Sequence, residues 1–305
     1  MLHPYTSRNY QFSKEGGVSG NDSASYRWGK AGTGGLNELS WMNGVRVHPD
    51  LSLGFGFSYL FGSMQEDLSI QLDEANGRFS SSTVTRSRYT WGGVKAQLGA
   101  VYRRTLAEKK YLNSGINLEL GTKLQGDVVQ YRGYTLGSRL QFPDTLPYTT
   151  TAKLPARVAG GLSYELPLKL VAHLDASYTD WSVTRGIEGQ KDPMESSFRL
   201  GAGAEWIPDA ASFNYFKRLP LRAGVFYERT PYRFRGYNVN DIGVSLGTSV
   251  LIPAPVRSRP PSTVDLAMVW GRMGSTKNGL IQENYFQIHL AATFSDRWFI
   301  RRKYD

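Results

Sequence analysis

Residues 51–62 read LSLGFGFSYLFG, and this run limits the possible folds more than any other stretch. In an extended chain Leu51, Leu53, Phe55, Phe57, Tyr59 and Phe61 share one face, while Ser52, Gly54, Gly56, Ser58 and Gly62 share the other. Leu60 is the only large residue on that second face. Successive side chains of a strand point to opposite sides, so the pattern predicts a β-strand with one apolar wall and one nearly bare wall.

The same alternation recurs in eleven segments. Their apolar faces carry Leu39 to Val47, Leu51 to Phe61, Val94 to Tyr102, Ile116 to Leu124, Ala156 to Tyr164, Leu170 to Tyr178 and Phe198 to Trp206. Four more carry Leu221 to Tyr227, Ile242 to Val250, Val264 to Trp270 and Phe286 to Phe294. No helical periodicity competes. The opposite faces hold Gly and Ser with Arg46, Lys95, Arg103, Lys123, Arg157, Arg199 and Arg222, and with Glu119, Glu165, Asp175, Glu205, Glu228 and Asp265.

Two features set this apart from a soluble sandwich. Tight links (HPD at 48–50, TLAEKK at 105–110, LPLK at 166–169) alternate with long polar stretches at 63–90, 125–154 and 182–196. Aromatic residues such as Tyr59, Phe61, Tyr178 and Trp270 gather at one end of the apolar faces, with Tyr102, Tyr164 and Trp206 at the other. Short turns on one side, long loops on the other and aromatic girdles at both ends are the habit of transmembrane barrels. In hydrocarbon each large apolar side chain is stabilised by about 1.5–3 kcal/mol. Every backbone N–H and C=O there must pair, so the strands have to close on themselves.

Composition excludes several alternatives. The chain has no cysteine, and its four histidines (His3, His48, His173, His289) are scattered, which argues against a metal site or any cofactor bound through thiolates. A net charge of +10 suggests an anionic partner, yet the basic residues share no single element and no nucleic-acid motif accompanies them. Nucleic acid is therefore not expected. Basic clusters at Arg103-Arg104, Lys109-Lys110, Lys217-Arg218, Arg257, Arg259 and Arg301 to Lys303 read as a rim touching anionic headgroups, or as a docking face for a periplasmic protein. Gly243 to Gly247 matches G-x-S-x-G, but inside a strand rather than at a strand–turn–helix elbow, so no enzyme is expected. The Gly-rich run 29–35 reads as an extracellular loop.

Residues 32–63 (GTGGLNELSWMNGVRVHPDLSLGFGFSYLFGS), 221–247 and above all 262–305, with its closing DRWFIRRKYD, resemble hairpins of FadL/TodX-type outer-membrane transport proteins of the Bacteroidota-like branch. The resemblance implies a 14-stranded barrel whose first strands and N-terminal hatch precede residue 1. It also implies passive uptake of hydrophobic molecules such as long-chain fatty acids or aromatic hydrocarbons. The fold expectation is thus an all-β, transmembrane antiparallel β-barrel with about eleven strands visible of fourteen. Residues 1–37 form an extracellular loop or the remnant of an upstream hairpin, and 38–305 form the barrel. The chain is expected to be truncated or completed by another chain.

The near balance of inward charges predicts interlocking ion pairs. Arg157 and Arg199, with Phe226 and Tyr285 as lumen-side aromatic surface, are the residues expected to touch a ligand, Arg binding a carboxylate bidentately. Location in the bacterial outer membrane, contact with its lipids and a hydrophobic small-molecule substrate complete this reading. The alternative is a structural or partner-binding barrel within an outer-membrane assembly.

Overall fold

The structure, a computed structural model, describes residues 1–74, 80–136, 139–184, 194–234, 236–252 and 262–294. One antiparallel sheet contains β1 (Leu2–Val18), β2 (Asn21–His48), β3 (Leu51–Glu74), β4 (Ser80–Ala107), β5 (Lys110–Glu119), β6 (Thr122–Leu136) and β7 (Arg139–Leu154). It continues through β8 (Arg157–Leu166), β9 (Leu170–Thr179), β10 (Ser197–Trp206), β11 (Leu221–Phe234), β12 (Tyr237–Ile252), β13 (Ser262–Gly274) and β14 (Gln282–Thr293). Three short 3-10 turns (Trp181–Val183, Tyr215–Arg218, Lys277–Gly279) are the only helical pieces among the described residues.

The expected count of eleven strands needs correction. Strand β4 pairs along its second half with β5 and along its first half with β6, and β8 and β7 in turn face those two. β5 and β6 are therefore two halves of one stave, broken near Gly121, and β7 and β8 are halves of another. Fourteen segments less these two joins give twelve staves. The twelfth, beyond the eleven read from the sequence, is β1. The stretch 1–37, expected as a loop or the remnant of an upstream hairpin, is β1 plus the first half of β2, paired as a hairpin, and the Gly-rich run 29–35 lies within β2. β1 and β14 end the path, and no ladder joins them among the described residues.

The stretches 63–90 and 125–154, also expected as loops, are largely strand. Strand β3 shows how. Its odd-numbered face runs Leu51, Leu53, Phe55, Phe57, Tyr59, Phe61 and then Ser63, Gln65, Asp67, Ser69, Gln71, Asp73. Its even-numbered face runs from Ser52, Gly54, Gly56 and Ser58 to Leu68, Ile70 and Leu72. Pairing with β4 holds register throughout, so the alternation continues while its polarity reverses. Below Gly62 the outer face suits hydrocarbon; above it the outer face suits water. The eleven residues Leu51–Phe61, at about 3.4 Å each and tilted about 40°, span about 26 Å, close to the apolar band of an outer-membrane barrel. The remainder of β3 reaches some 40 Å farther, at about 3.3 Å per residue, as a flare shared with β1, β2, β4, β6 and β7.

At this boundary Gly34 adopts φ +103°, and a Cβ there would collide with the Ser63 carbonyl oxygen. Only glycine tolerates both conditions. The side chains around it make the one buried apolar cluster among the described residues: Leu36, Leu60, Tyr89, Trp91, Leu124 and Val128, flanked by Tyr5, Met64, Ala152 and Leu154. This is a correction for Leu124, expected on the lipid face with Ile116 and Leu118. The break between Glu119 and Thr122 reverses which parity faces inward, so Leu124 turns in and Lys123, expected in the lumen, is exposed on the other face.

The outer wall from β2 to β14 exposes Trp41, Phe55, Phe57, Leu98, Ile116, Leu174, Leu200, Val225, Leu246, Trp270 and Ile288. Leu98 faces Phe55 near the middle of the band. Leu98→Arg should cost about 2–4 kcal/mol of folding free energy in bilayers, as for cations on the lipid face at the midplane. Gly201→Arg should be near neutral, because nothing lies within 4 Å of a Cβ there. Urea titration in vesicles checks both, and equal costs would contradict the face assignment.

Candidate functional site

The inner face at membrane depth is a lattice of ion pairs. Glu38 of β2 receives Lys95 of β4 at 3.2 Å, Lys95 also reaches Glu119 of β5 at 3.3 Å, and Arg157 of β8 reaches Glu119 at 3.2 Å. One chain of alternating charge, drawn from four strands, therefore crosses five neighbouring ones, from β2 to β8. Farther round, Arg103 meets Glu165 at 3.3 Å, Arg199 meets Glu228 at 2.7 Å, and Arg222 joins Glu205 at 2.7 Å and Asp265 at 3.2 Å. Asp265 also accepts a hydrogen bond from the Ser249 hydroxyl. Of the inward cations expected to pair, Lys95, Arg103, Arg157, Arg199 and Arg222 do so; no ion pair joins Arg46 to a carboxylate among the described residues, and Lys123 faces outward.

Between these pairs lies a cavity of about 770 Å³ whose lining includes Arg157, Arg199, Phe226, His173, Asp175 and Ser245. Three of the four residues expected to touch a ligand thus share one space. The Arg199 guanidinium stands 4.7 Å from the centre of the Phe226 ring while it pairs with Glu228. Tyr285 lies outside this cavity; its hydroxyl donates to the Asp241 carboxylate at 2.9 Å. Ser245 sits in mid-strand β12, with no helix turn behind it. No cluster of three or more His, Cys, Asp or Glu side chains suited to a metal ion occurs among the described residues.

Such a cavity offers a ligand carboxylate two guanidinium groups, but each already holds a carboxylate of the protein. A ligand anion has to compete with Glu119 and Glu228, whose bonds are charge-assisted. Glu38 and Asp241 were missed in the sequence. Glu38 shares the parity of Ser40 and Arg46, so extending the alternation of β2 by one pair finds it; Asp241 stands one residue before the apolar Ile242.

Ring-over-glycine contacts recur along this face. Phe226 lies over Gly243, Tyr285 over Gly271, His173 over Gly203, Trp91 over Gly126, Tyr10 over Gly32 and Tyr26 over Gly16, and in each case the two residues are direct cross-strand partners. A Cβ on any of these glycines would overlap the ring.

Above the membrane the inner face changes character. Phe12 and Trp28 meet edge to face at 5.4 Å, and Trp28 pairs across β3 with Ile70. Phe12, Ile70 and Leu72 are exposed by 52 %, 42 % and 48 %. At the rim, Glu195 receives Arg233 at 2.5 Å and Arg229 at 2.7 Å. The bond from Arg233, opposed by desolvation and reinforced by Arg229, holds the Glu195 carboxyl below the ordinary carboxylate range. A depressed folded value stabilises the pair above the unfolded pKa, about 4.3, and that contribution is lost as pH falls through the lower folded value. The Glu195 amide, which donates to the Pro231 carbonyl at 2.9 Å, should lose exchange protection over that acid interval. Glu195→Gln should abolish the pH dependence.

The whole chain, residues 1–305, matches the family model described as BamG. The chain belongs to the BamG family. Among solved structures, this BamG-family chain is similar to a Pseudomonas aeruginosa FadL homologue, with TM-score 0.53 and 16 % identity over 93 % of this chain and 76 % of that one. It is also similar to the CymD monoaromatic hydrocarbon channel, with TM-score 0.49 and 14 % identity over 97 % of this chain and 88 % of that one. The first likeness shows a shared fold and supports the expected FadL-type architecture at that level. No curated protein matches the chain significantly.

Proposed function

We propose that this BamG-family chain is an outer-membrane barrel that binds protein partners within a membrane assembly. The carrying observation is where the apolar surface lies. Ion pairs brace the inner face at membrane depth and, through Glu66 with Arg8 and Lys30, the lower flare, whereas Phe12, Ile70 and Leu72 stand uncovered on the flare, in water. A contiguous apolar face in water marks an interaction surface. Family membership supports an assembly-related role. The outer membrane as location rests on the apolar band of about 26 Å and the shared barrel fold.

The second reading is passive uptake of a hydrophobic molecule such as a fatty acid or aromatic hydrocarbon. The cavity beside Arg157, Arg199 and Phe226 favours it, as does the fold shared with a FadL homologue. Gentle detergent extraction followed by protein and lipid mass spectrometry separates the two. Stoichiometric partner proteins, lost on Phe12→Ser/Ile70→Ser, support the first reading. Bound fatty acid or hydrocarbon without partners, lost on Arg199→Leu, overturns it in favour of the second.

A further inference from the structure

The link between β10 and β11, residues 207–220, lies on the short-turn side of the sheet and is built rather than loose. The Asp209 amide donates to the Lys217 carbonyl at 2.9 Å, the Asn214 side chain caps the 3-10 turn Tyr215–Arg218 by accepting from the Phe216 amide at 3.0 Å, and the Tyr215 hydroxyl donates to the Leu251 carbonyl at 3.0 Å. The Ile207 amide ties the link to the Lys169 carbonyl in the β8–β9 turn at 2.9 Å. This framework presents Phe213, Phe216 and Leu168 at 106 %, 76 % and 75 % exposure. Trp206 and Leu221, cross-strand partners on the lipid-facing wall, stand where the link leaves the apolar band.

The charges complete the pattern. Arg103, Arg157, Arg199 and Arg222 on the inner face pair with carboxylates, but no ion pair joins Lys169, Lys217 or Arg218 to a carboxylate among the described residues. Arg218 instead lies over the Tyr215 ring at 5.4 Å, with its Nε buried and unbonded. Exposed rings beside unpaired cations, held at the edge of an apolar band, match the boundary between acyl chains and anionic headgroups. We propose that the 207–220 link is a lipid anchor. Phe213 and Phe216 enter the acyl region of the adjoining leaflet, and Lys169, Lys217 and Arg218 hold phosphate groups of anionic phospholipid.

A chain without cysteine makes the test direct. Phe213→Cys carries an environment-sensitive fluorophore in the full-length protein, reconstituted in phosphatidylethanolamine–phosphatidylglycerol vesicles with nitroxide-labelled lipid. Trp206→Cys serves as the lipid-facing reference and Glu108→Cys, in the β4–β5 turn, as the aqueous one. The probe at 213 should emit to the blue of the 108 probe and be quenched by shallow nitroxides as strongly as the 206 probe. Adding Lys169→Ser, Lys217→Ser and Arg218→Ser should remove most of that quenching, as should replacing the anionic lipid by phosphatidylcholine. Quenching by aqueous iodide with none by nitroxide overturns the proposal and makes the loop a surface for a soluble partner. Quenching indifferent to lipid charge overturns the role of the three cations. Heat-modifiable gel mobility shows that each variant has folded.

Discussion

Lys95→Met should destabilise the folded chain by about 3–5 kcal/mol, the range for stranding one charge of a buried pair. Lys95 and Glu38 are both buried, so the carboxylate left behind has little water to turn to. His3, 3.5 Å away, is a charged partner only when protonated, and Glu119 keeps Arg157. The second variant decides the cause. Lys95→Met/Glu38→Met removes both charges and should recover most of the loss, because an apolar pair of similar volume is often as stable as a buried ion pair. Urea titrations in vesicles, read by tryptophan fluorescence, give both numbers. A double variant as unstable as the single one would mean that the pair acts through packing rather than charge.

Leu60→Ala should cost about 2–5 kcal/mol, the range for a large-to-small change in a packed core. Leu60 is wholly buried although it sits on the inner face of a strand otherwise lined by Gly and Ser. It packs with Leu36, Trp91 and Leu124 where the inner face turns apolar. The loss should be larger than that for Leu53→Ala, a lipid-facing position seven residues earlier on the same strand. If the two truncations cost the same, the cluster is not packed as described.

Leu60 is also where reading the sequence stopped short. It looked like an intruder on a bare face, but it is the first inner residue of the reversed pattern that Met64, Leu68, Ile70 and Leu72 continue, interrupted at Glu66 by its pairs with Arg8 and Lys30. The eleven lipid-facing segments were legible because hydrocarbon on one side and a bore on the other make the contrast large. Above Gly62 the period of two persists with opposite sign, and the polar outer residues Gln65, Asp67, Gln71 and Asp73 read as loop. β1 was hidden for a related reason. Its sequence, LHPYTSRNYQFSKEGGV, has polar residues on both faces, and its pairing to Gly-rich β2 depends on backbone bonds more than on side chains. In the site, charge balance announced the lattice but not its connections. Which carboxylate meets Arg157 depends on strand register, and only the broken stave at Gly121 places Glu119 there.

The six rings that rest on bare backbone carry a consequence for the free space in front of the inner face. At each of these points the aromatic side chain lies along the wall because its neighbour is a single hydrogen; any larger neighbour would lever it away from the wall. The free space is therefore adjustable without touching the rings. A methyl added at Gly243 or Gly271 would swing Phe226 or Tyr285 away from the wall like a shutter, filling the space before β12 and β13 from either side.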